Sequence, residues 1–234
     1  MKKQIVCFIF LVTGLLFLTS CPDKEEEQPV TDIWDIDIQG IPQFIHSDYI
    51  ELDKIQRISR FRSSAGHDYS DAFEHCRSMK HYFEPRADVD WTQVKIYSPV
   101  TGILTRVEQE WAGTKLEIAS DSLPAFRFSI FHMSPASPFS LGQKVTEGQY
   151  LGTHIGSSTY SDISVIVNDP TKQGRMVSWF DVMTNALFKR YETRGISSRT
   201  LMIISKEERD AYPLECNGDA FISDDSLESW VVLK

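Results

Sequence analysis

Three side chains in the middle of the chain are of the types, and partly at the spacing, that bind metal ions and move protons. His67 and Asp71 lie four residues apart in a turn-rich segment, and imidazole nitrogen and carboxylate oxygen are both good ligands for zinc. His132 ends an apolar run and could assist proton transfer in a reaction. Each pattern alone also fits a purely structural role: the pair could belong to a surface turn, and His132 could be a structural histidine.

The elements that must position these side chains are predominantly strands. Apolar and polar residues alternate in several short stretches bounded by Gly, Pro and Ser, which predicts β-strands (33–38, 94–104, 113–119, 126–133 and 163–167). After Pro170 the apolar residues of 177–194 recur at helical spacing, and Ser205 begins a short capped helix that ends before Pro213. We therefore predict a mainly β domain over 33–170 and a mostly helical C-terminal segment over 171–234 that covers its open face.

These residues, in this order, resemble a known family. The pair at 67 and 71 is followed by Ser98-Pro99-Val100-Thr101-Gly102, then Phe131-His132-Met133, then a glycine-punctuated stretch over 142–152. The series is similar to the LytM/lysostaphin family of zinc endopeptidases, which cut peptide cross-links of bacterial cell walls, and it covers about residues 60–168. The resemblance implies a duplicated hybrid motif, an antiparallel β sheet of barrel-sandwich type, with zinc on His67 and Asp71 and His132 assisting.

The last element of the family pattern, a His-x-His strand, is missing. Its two positions fall on about Asp162 and Ser164, and no histidine follows His154. Catalytic zinc needs three protein ligands and an open position for water, so two ligands would hold the metal weakly. Asp162 could in principle bind zinc or act as a base, and its place on the strand corresponds to the assisting histidine. We therefore expect a degenerate, non-catalytic binding or regulatory domain for a cell-wall peptide or a protein partner, with no cofactor.

Two other hypotheses about function stay open. In the first, His75, His81 or His154 supplies the third ligand, and the chain is an active zinc endopeptidase on peptidoglycan cross-links. The stretch around Cys76 is otherwise a structural loop, in which Arg77 and Lys80 pair with acids and Cys76 forms a disulfide with Cys216 or stays a free thiol. In the second, the chain is a structural envelope lipoprotein whose groove is filled.

The N-terminus predicts export and lipid anchoring. Lys2 and Lys3 precede an apolar run too short for a comfortable membrane span, and the run ends in Leu-Thr-Ser-Cys21, which resembles the lipobox of bacterial lipoproteins. We predict a signal peptide over 1–20, lipidation of Cys21 and an acidic tether over 21–32, which places the domain outside the cytoplasm on a bacterial membrane. The net charge of −9 makes nucleic acid an improbable partner.

Overall fold

The computed structural model of this chain describes residues 32–156 and 159–234. The predicted signal peptide, Cys21 and nearly all of the predicted tether lie outside the described residues. Within the described part, no helix is long and apolar enough to cross a membrane.

The fold is mainly β and antiparallel, as the sequence predicts. In the described residues there are thirteen strands: β1 (Ile55–Ser59), β2 (His81–Pro85), β3 (Lys95–Tyr97), β4 (Gly102–Glu110), β5 (Gly113–Ser120), β6 (Phe126–Pro135), β7 (Lys144–Val145), β8 (Tyr150–His154), β9 (Ser161–Asn168), β10 (Gln173–Val177), β11 (Cys216–Asn217), β12 (Ala220–Phe221) and β13 (Trp230–Val232). Four α-helices accompany them: α1 (Ile36–Gln39), α2 (Trp179–Val182), α3 (Asn185–Glu192) and α4 (Lys206–Ala211).

Eleven of these strands form one sheet, and the other two form a small hairpin, β11–β12. The main path runs β13-β1-β2-β9-β6-β5-β4-β7, with β10 also on β9, and with β8 joining β6 to β3. The long strands β4, β5 and β6 form a meander, and β9 lies between β2 and β6. This order places Asp162 of β9 beside Tyr82 of β2, so residues 80 and 162 come from segments far apart in sequence but adjacent in the sheet.

The sheet buries its apolar side chains against the helices of the C-terminal segment. Trp179 is fully buried and makes edge contacts with the rings of Phe128 and Tyr49, with ring centroids about 6 Å apart. Ser178 and Thr184 cap the two helices by accepting hydrogen bonds from backbone N–H groups. The helices therefore close one face of the sheet, while the groove described below opens elsewhere.

The C-terminal segment is less helical than its sequence pattern suggests. It contains α2, α3 and α4, but also β10, which extends the sheet beside β9, and β13, which pairs with β1 at the sheet edge. Ser205 caps α4 at the predicted position by accepting from the N–H of Glu208. Residues on both sides of Pro170 thus share one sheet and one core.

The strand predicted over 33–38 was wrong, because this stretch turns into helix α1. The Asp35 side chain accepts a hydrogen bond from the backbone N–H of Ile38 at 3.1 Å, which caps a single helical turn. Only Ile36 of this turn is buried, and Ile38 is 83% exposed. A side-chain cap therefore prevailed over an apolar alternation too short to specify a strand.

Candidate functional site

A groove of about 710 Å³ opens beside the tip of the β4–β5 hairpin. Two loops and the β11–β12 turn complete its walls, and aromatic side chains make up much of its lining. The residues that line it are Gly66, His67, Tyr69, Lys80, Tyr82, Glu108, Gln109, Glu110, Trp111, Lys115, Phe131, His132, Thr159, Tyr160 and Asp219. His67 and His132, two of the predicted site residues, therefore do face one cavity.

Lys80 forms the floor of the groove, just before β2. Its side chain is 2% exposed, and its ammonium nitrogen lies 2.7 Å from Oδ2 of the fully buried Asp162. The same nitrogen lies 3.8 Å from the ring centre of Phe131 and 4.2 Å from that of Tyr69. The negative faces of these rings and the carboxylate together compensate a cation that has lost its water.

His132 lies beside this ion pair, and its ring is held by a hydrogen bond to the backbone of Ala112. It sits in β6 with a φ of 59°, and its Nδ1–H donates to the carbonyl oxygen of Ala112 at 3.1 Å. Its other nitrogen, Nε2, lies 3.3 Å from Oδ1 of Asp162, an oxygen that has no aligned hydrogen-bond partner. The structure thus brings together His132 and Asp162. Ser164, two residues further along β9, is also buried.

Asp71 does not point into the groove with His67. Its Oδ1 accepts hydrogen bonds from the N–H groups of Phe73 and Glu74, at 2.9 and 3.1 Å, and its Oδ2 accepts from the N–H of Met176 at 3.0 Å. The carboxylate caps a turn and fastens it to β10. The His67–Asp71 spacing that suggested a ligand pair is therefore explained by a turn, and His67 uses its Nδ1 to hydrogen-bond the backbone oxygen of Asp68.

His75, His81 and His154, the candidates for a third zinc ligand, lie in different parts of the fold. His75 is exposed, with its backbone oxygen accepting from Arg77. His81 is buried, donates from Nδ1 to the backbone oxygen of Ser59 and accepts at Nε2 from the Ser178 hydroxyl, both at 2.8 Å. Burial lowers the pKa of His81 to about 4. His81 is therefore a neutral core residue.

His154 is likewise a core residue. Its ring lies 4.2 Å from that of Trp91, and its Nδ1 accepts a hydrogen bond from the N–H of Gly156 at 3.1 Å. Burial lowers its pKa to about 4 as well. Its ring centre is 6.4 Å from that of His132, so it supports the wall behind His132.

The donor set does not fit zinc. Among the described residues, no group of three or more His, Cys, Asp or Glu side chains is arranged to hold a metal ion. Asp71 has both oxygens occupied by backbone N–H groups, and Asp162 faces the ammonium of Lys80. A divalent cation beside Asp162 would have to displace or neutralise that ammonium.

A disulfide secures one wall of the groove. Cys76 and Cys216 are joined, with Cα atoms 5.7 Å apart, which ties the loop before β2 to the β11–β12 hairpin. Arg77 pairs with Glu74 and Asp210, at 2.9 Å each. The dense run of reactive side chains around Cys76 therefore builds a rigid loop, which is the structural alternative that the sequence also allowed.

Sequence reasoning missed several residues of the groove. Trp111, at the tip of the β4–β5 hairpin, is 85% exposed, and Tyr69, Tyr82 and Phe131 surround Lys80. The position of Trp111 before the Gly113 turn was a signal of an exposed hairpin tip. Nothing in the local sequence indicates that Lys80 would be the buried partner of Asp162.

No protein-family model matches the chain, and no curated protein matches it either. Among solved structures, it is similar to the SpoIIQ–SpoIIIAH pore-forming complex, at 11% identity and a TM-score of 0.43, over 63% of this chain and 96% of that one. It is also similar to Csd3 of Helicobacter pylori, at 18% identity and a TM-score of 0.44, over 64% of this chain and 39% of that one.

A zinc-containing peptidase from Vibrio cholerae is similar at 15% identity and a TM-score of 0.39, over 61% of this chain and 41% of that one. The chain thus spans about two fifths of the length of the Helicobacter and Vibrio proteins. At these identities and TM-scores the likeness does not bear on activity.

Proposed function

We propose that the chain is a non-catalytic binding module with a LytM-like β domain, which binds a cell-wall peptide or an envelope protein in the groove beside Trp111. The observation that carries the proposal is the Lys80–Asp162 ion pair, at 2.7 Å with both side chains buried. By the family resemblance, Asp162 and Ser164 stand where a zinc enzyme has histidines, and here the cation beside Asp162 is the protein's own ammonium.

An open groove favours binding over a purely structural role. Its volume of about 710 Å³ lies within the range typical of ligand sites, and its lining combines aromatic side chains with charged and polar ones. An endopeptidase would instead need a third ligand within reach of His67. Of the candidates, His81 and His154 are engaged in the core and His75 is exposed.

Metal content and hydrolysis test this proposal together. We expect the purified chain to contain no zinc above the buffer blank, both as isolated and after soaking in zinc, when measured by elemental analysis. We also expect no release of free amines from cross-linked peptidoglycan. About one zinc per chain, lost in His67→Ala and accompanied by amine release, would overturn the proposal in favour of the hydrolase.

We further propose that the domain is held at a bacterial membrane, outside the cytoplasm, by a lipid on Cys21. The disulfide between Cys76 and Cys216 supports this, because disulfides persist in exported proteins and are rare in the cytoplasm. Cells fed radiolabelled fatty acid should label the chain, and Cys21→Ala should abolish the label while Cys76→Ala retains it. Label retained by Cys21→Ala would exclude lipidation at this residue.

A further inference from the structure

We infer that the disulfide between Cys76 and Cys216 is a redox-sensitive latch on the groove. Its reduction releases residues 215–224, here called the strap, and so opens one wall. The strap consists of the β11–β12 hairpin and the residues on either side of it. The inference rests on the proposed binding function, because it concerns how the same groove opens, but its test does not require the ligand to be known.

The strap has no core of its own. None of its side chains is buried, and none belongs to a hydrophobic cluster of the fold. Its internal bonds are those of one short hairpin, in which Asn217 is paired with Ala220 and the N–H of Ile222 donates to the backbone oxygen of Glu215. A single two-stranded hairpin is marginally stable at best in water. The strap therefore depends on attachments to the rest of the chain.

Two attachments hold the strap at the groove. Cys216 is bonded to Cys76, and the backbone oxygen of Asp219 accepts from the N–H of Asp68 at 2.7 Å. In the part of the chain that the structure describes, the strap makes no other hydrogen bond to a different segment and no ion pair. A lone hydrogen bond near the surface opens readily, so the disulfide is the main attachment. Because Asp219 lines the groove, losing this attachment removes part of the wall.

The loop on the other side of the disulfide is held without the strap. Arg77, next to Cys76, is buried, and its guanidinium pairs with Glu74 at 2.9 Å. The backbone N–H of Arg77 donates to Oδ1 of Asp68 at 3.1 Å, and its backbone oxygen accepts from the N–H of Tyr69 at 3.2 Å. When the disulfide breaks, we therefore expect the loop around Cys76 to stay in place and the strap to move.

Both ends of the strap are anchored. Leu214, just before it, is 8% exposed. Asp225, just after it, accepts two hydrogen bonds from the guanidinium of the fully buried Arg209, at 3.0 and 2.9 Å. Movement is therefore confined to residues 215–224, and the sheet and its core keep their structure.

The reaction that opens the latch is thiol–disulfide exchange with a dithiol reductant. Neither cysteine of the pair is buried, which gives a thiol access to them. One thiolate of the reductant attacks a sulfur of the pair, so that the Cys76–Cys216 bond breaks and a mixed disulfide forms. The second thiolate then displaces the protein sulfur. The two cysteines take up the two protons that the reductant loses, and the reductant becomes a disulfide.

The test is hydrogen–deuterium exchange of the full chain, followed residue by residue by NMR, before and after reduction with dithiothreitol. We expect the amides of Asp68 and of the strap to exchange at least roughly tenfold faster in the reduced chain. The amides of Arg77 and of β5 and β6 should keep their rates. Alkylation with iodoacetamide, counted by mass spectrometry, verifies that both thiols have formed.

Two controls isolate the disulfide. Oxidised dithiothreitol should leave the exchange of the unsubstituted chain as it was. The double variant Cys76→Ser with Cys216→Ser should exchange rapidly at Asp68 and in the strap whether or not reductant is present. If this variant does not fold, the reduced unsubstituted chain decides, because its β5 and β6 amides report on the fold in the same experiment.

Two outcomes would overturn the inference. In the first, a chain with both thiols alkylated keeps slow exchange at Asp68 and in the strap. In the second, exchange becomes faster throughout β5 and β6 as well, which would mean that the disulfide holds the whole domain and not the strap alone. Neither outcome bears on the proposed binding function, which metal content and hydrolysis test separately.

Discussion

The side chain of Lys80 occupies a place from which water is almost excluded, and its contacts take the place of that water. Asp162 supplies the opposite charge at 2.7 Å, and the rings of Phe131 and Tyr69 face the same nitrogen. Such a buried pair adds little net stability when complete, but removing one partner leaves the other charge uncompensated. At the scale of the residue, the groove floor is therefore a buried ion pair whose two partners depend on each other.

We predict that Lys80→Met destabilises the chain by about 3–5 kcal/mol, because Asp162 would then be a buried charge without its partner. The measurement is unfolding in denaturant at neutral pH. Lys144→Met is the matched control. Lys144 pairs with Asp121 at 2.9 Å, but its side chain is 67% exposed, so the loss should be below about 1 kcal/mol. Adding Asp162→Asn to Lys80→Met should recover part of the loss. Similar effects of Lys80→Met and Lys144→Met would contradict the prediction.

His81 predicts a dependence of stability on pH. Its pKa is about 4 in the folded chain and about 6.5 when unfolded. Between these values the unfolded state binds more protons, so stability is full above pH 6.5 and falls as the pH drops toward 4. The loss due to His81 amounts to about 3 kcal/mol. His154 acts in the same direction, whereas the carboxyls of Asp48 and Asp181, with pKa values raised to about 6, act oppositely.

The test compares the pH dependence of stability between variants. His154, Asp48 and Asp181 are present in every variant, so their effects cancel in the comparison. His81→Gln should lose less stability than the unsubstituted chain between pH 6.5 and 4, when unfolding is measured across that range. The exposed His75, changed to Gln, serves as the control and should leave the slope as it was. A slope unchanged by His81→Gln would show that the imidazole is protonated without cost in the fold.

At the scale of elements, the groove depends on how the β4–β5 hairpin turns. Glu110 and Gly113 face each other at its end, and Gly113 has a φ of 92°, which glycine adopts readily. The turn packs against β6 and the residue after β8, through Met133 and Ile155. The position of Trp111 is therefore set by contacts between strands and not by the turn alone.

We predict that Gly113→Ala destabilises the chain by about 1–3 kcal/mol more than Gly142→Ala. Both glycines have positive φ, but a Cβ on Gly142 would meet no atom within 4 Å, whereas one on Gly113 would lie 2.7 Å from the backbone oxygen of Met133. Unfolding in denaturant measures the difference. Equal losses in the two variants would mean that the hairpin tip moves aside without cost.

At the scale of the whole molecule, the C-terminal segment belongs to the β domain. Strand β10 pairs with β9, β13 pairs with β1, and helices α2 and α3 bury Trp179, Phe180 and Tyr191 completely. Removing these elements would expose the sheet face that they cover and the edges of two strands.

A chain that ends at Pro170 is therefore predicted not to fold on its own. The expected result is loss of the cooperative thermal transition seen by circular dichroism, together with rapid digestion by protease. The full chain should unfold in one transition, because both parts share one core. A truncated chain that still melts cooperatively would show that residues 171–234 are a separate unit.

The sequence by itself determined the elements whose signals are local. Alternation of apolar residues located β5 and β6 of the meander but only the first residues of β4, and Ser205 located the start of α4. The same kind of local signal misplaced a strand over 33–38, where the cap from Asp35 prevailed. Two cysteines in an otherwise cysteine-poor chain allowed a disulfide but left it undecided, because their distance is a property of the fold.

Only the tertiary structure decided what the chemistry-bearing residues do. The spacing of His67 and Asp71 is compatible with a ligand pair, yet Asp71 lies within reach of backbone N–H groups of its own turn and of β10, 105 residues away. Lys80 and Asp162 are 82 residues apart and meet because β2 and β9 are neighbours in the sheet. Whether a polar side chain ligates, caps or pairs depends on which groups the fold brings within hydrogen-bonding distance, and those groups come from strands that the sequence does not show to be adjacent.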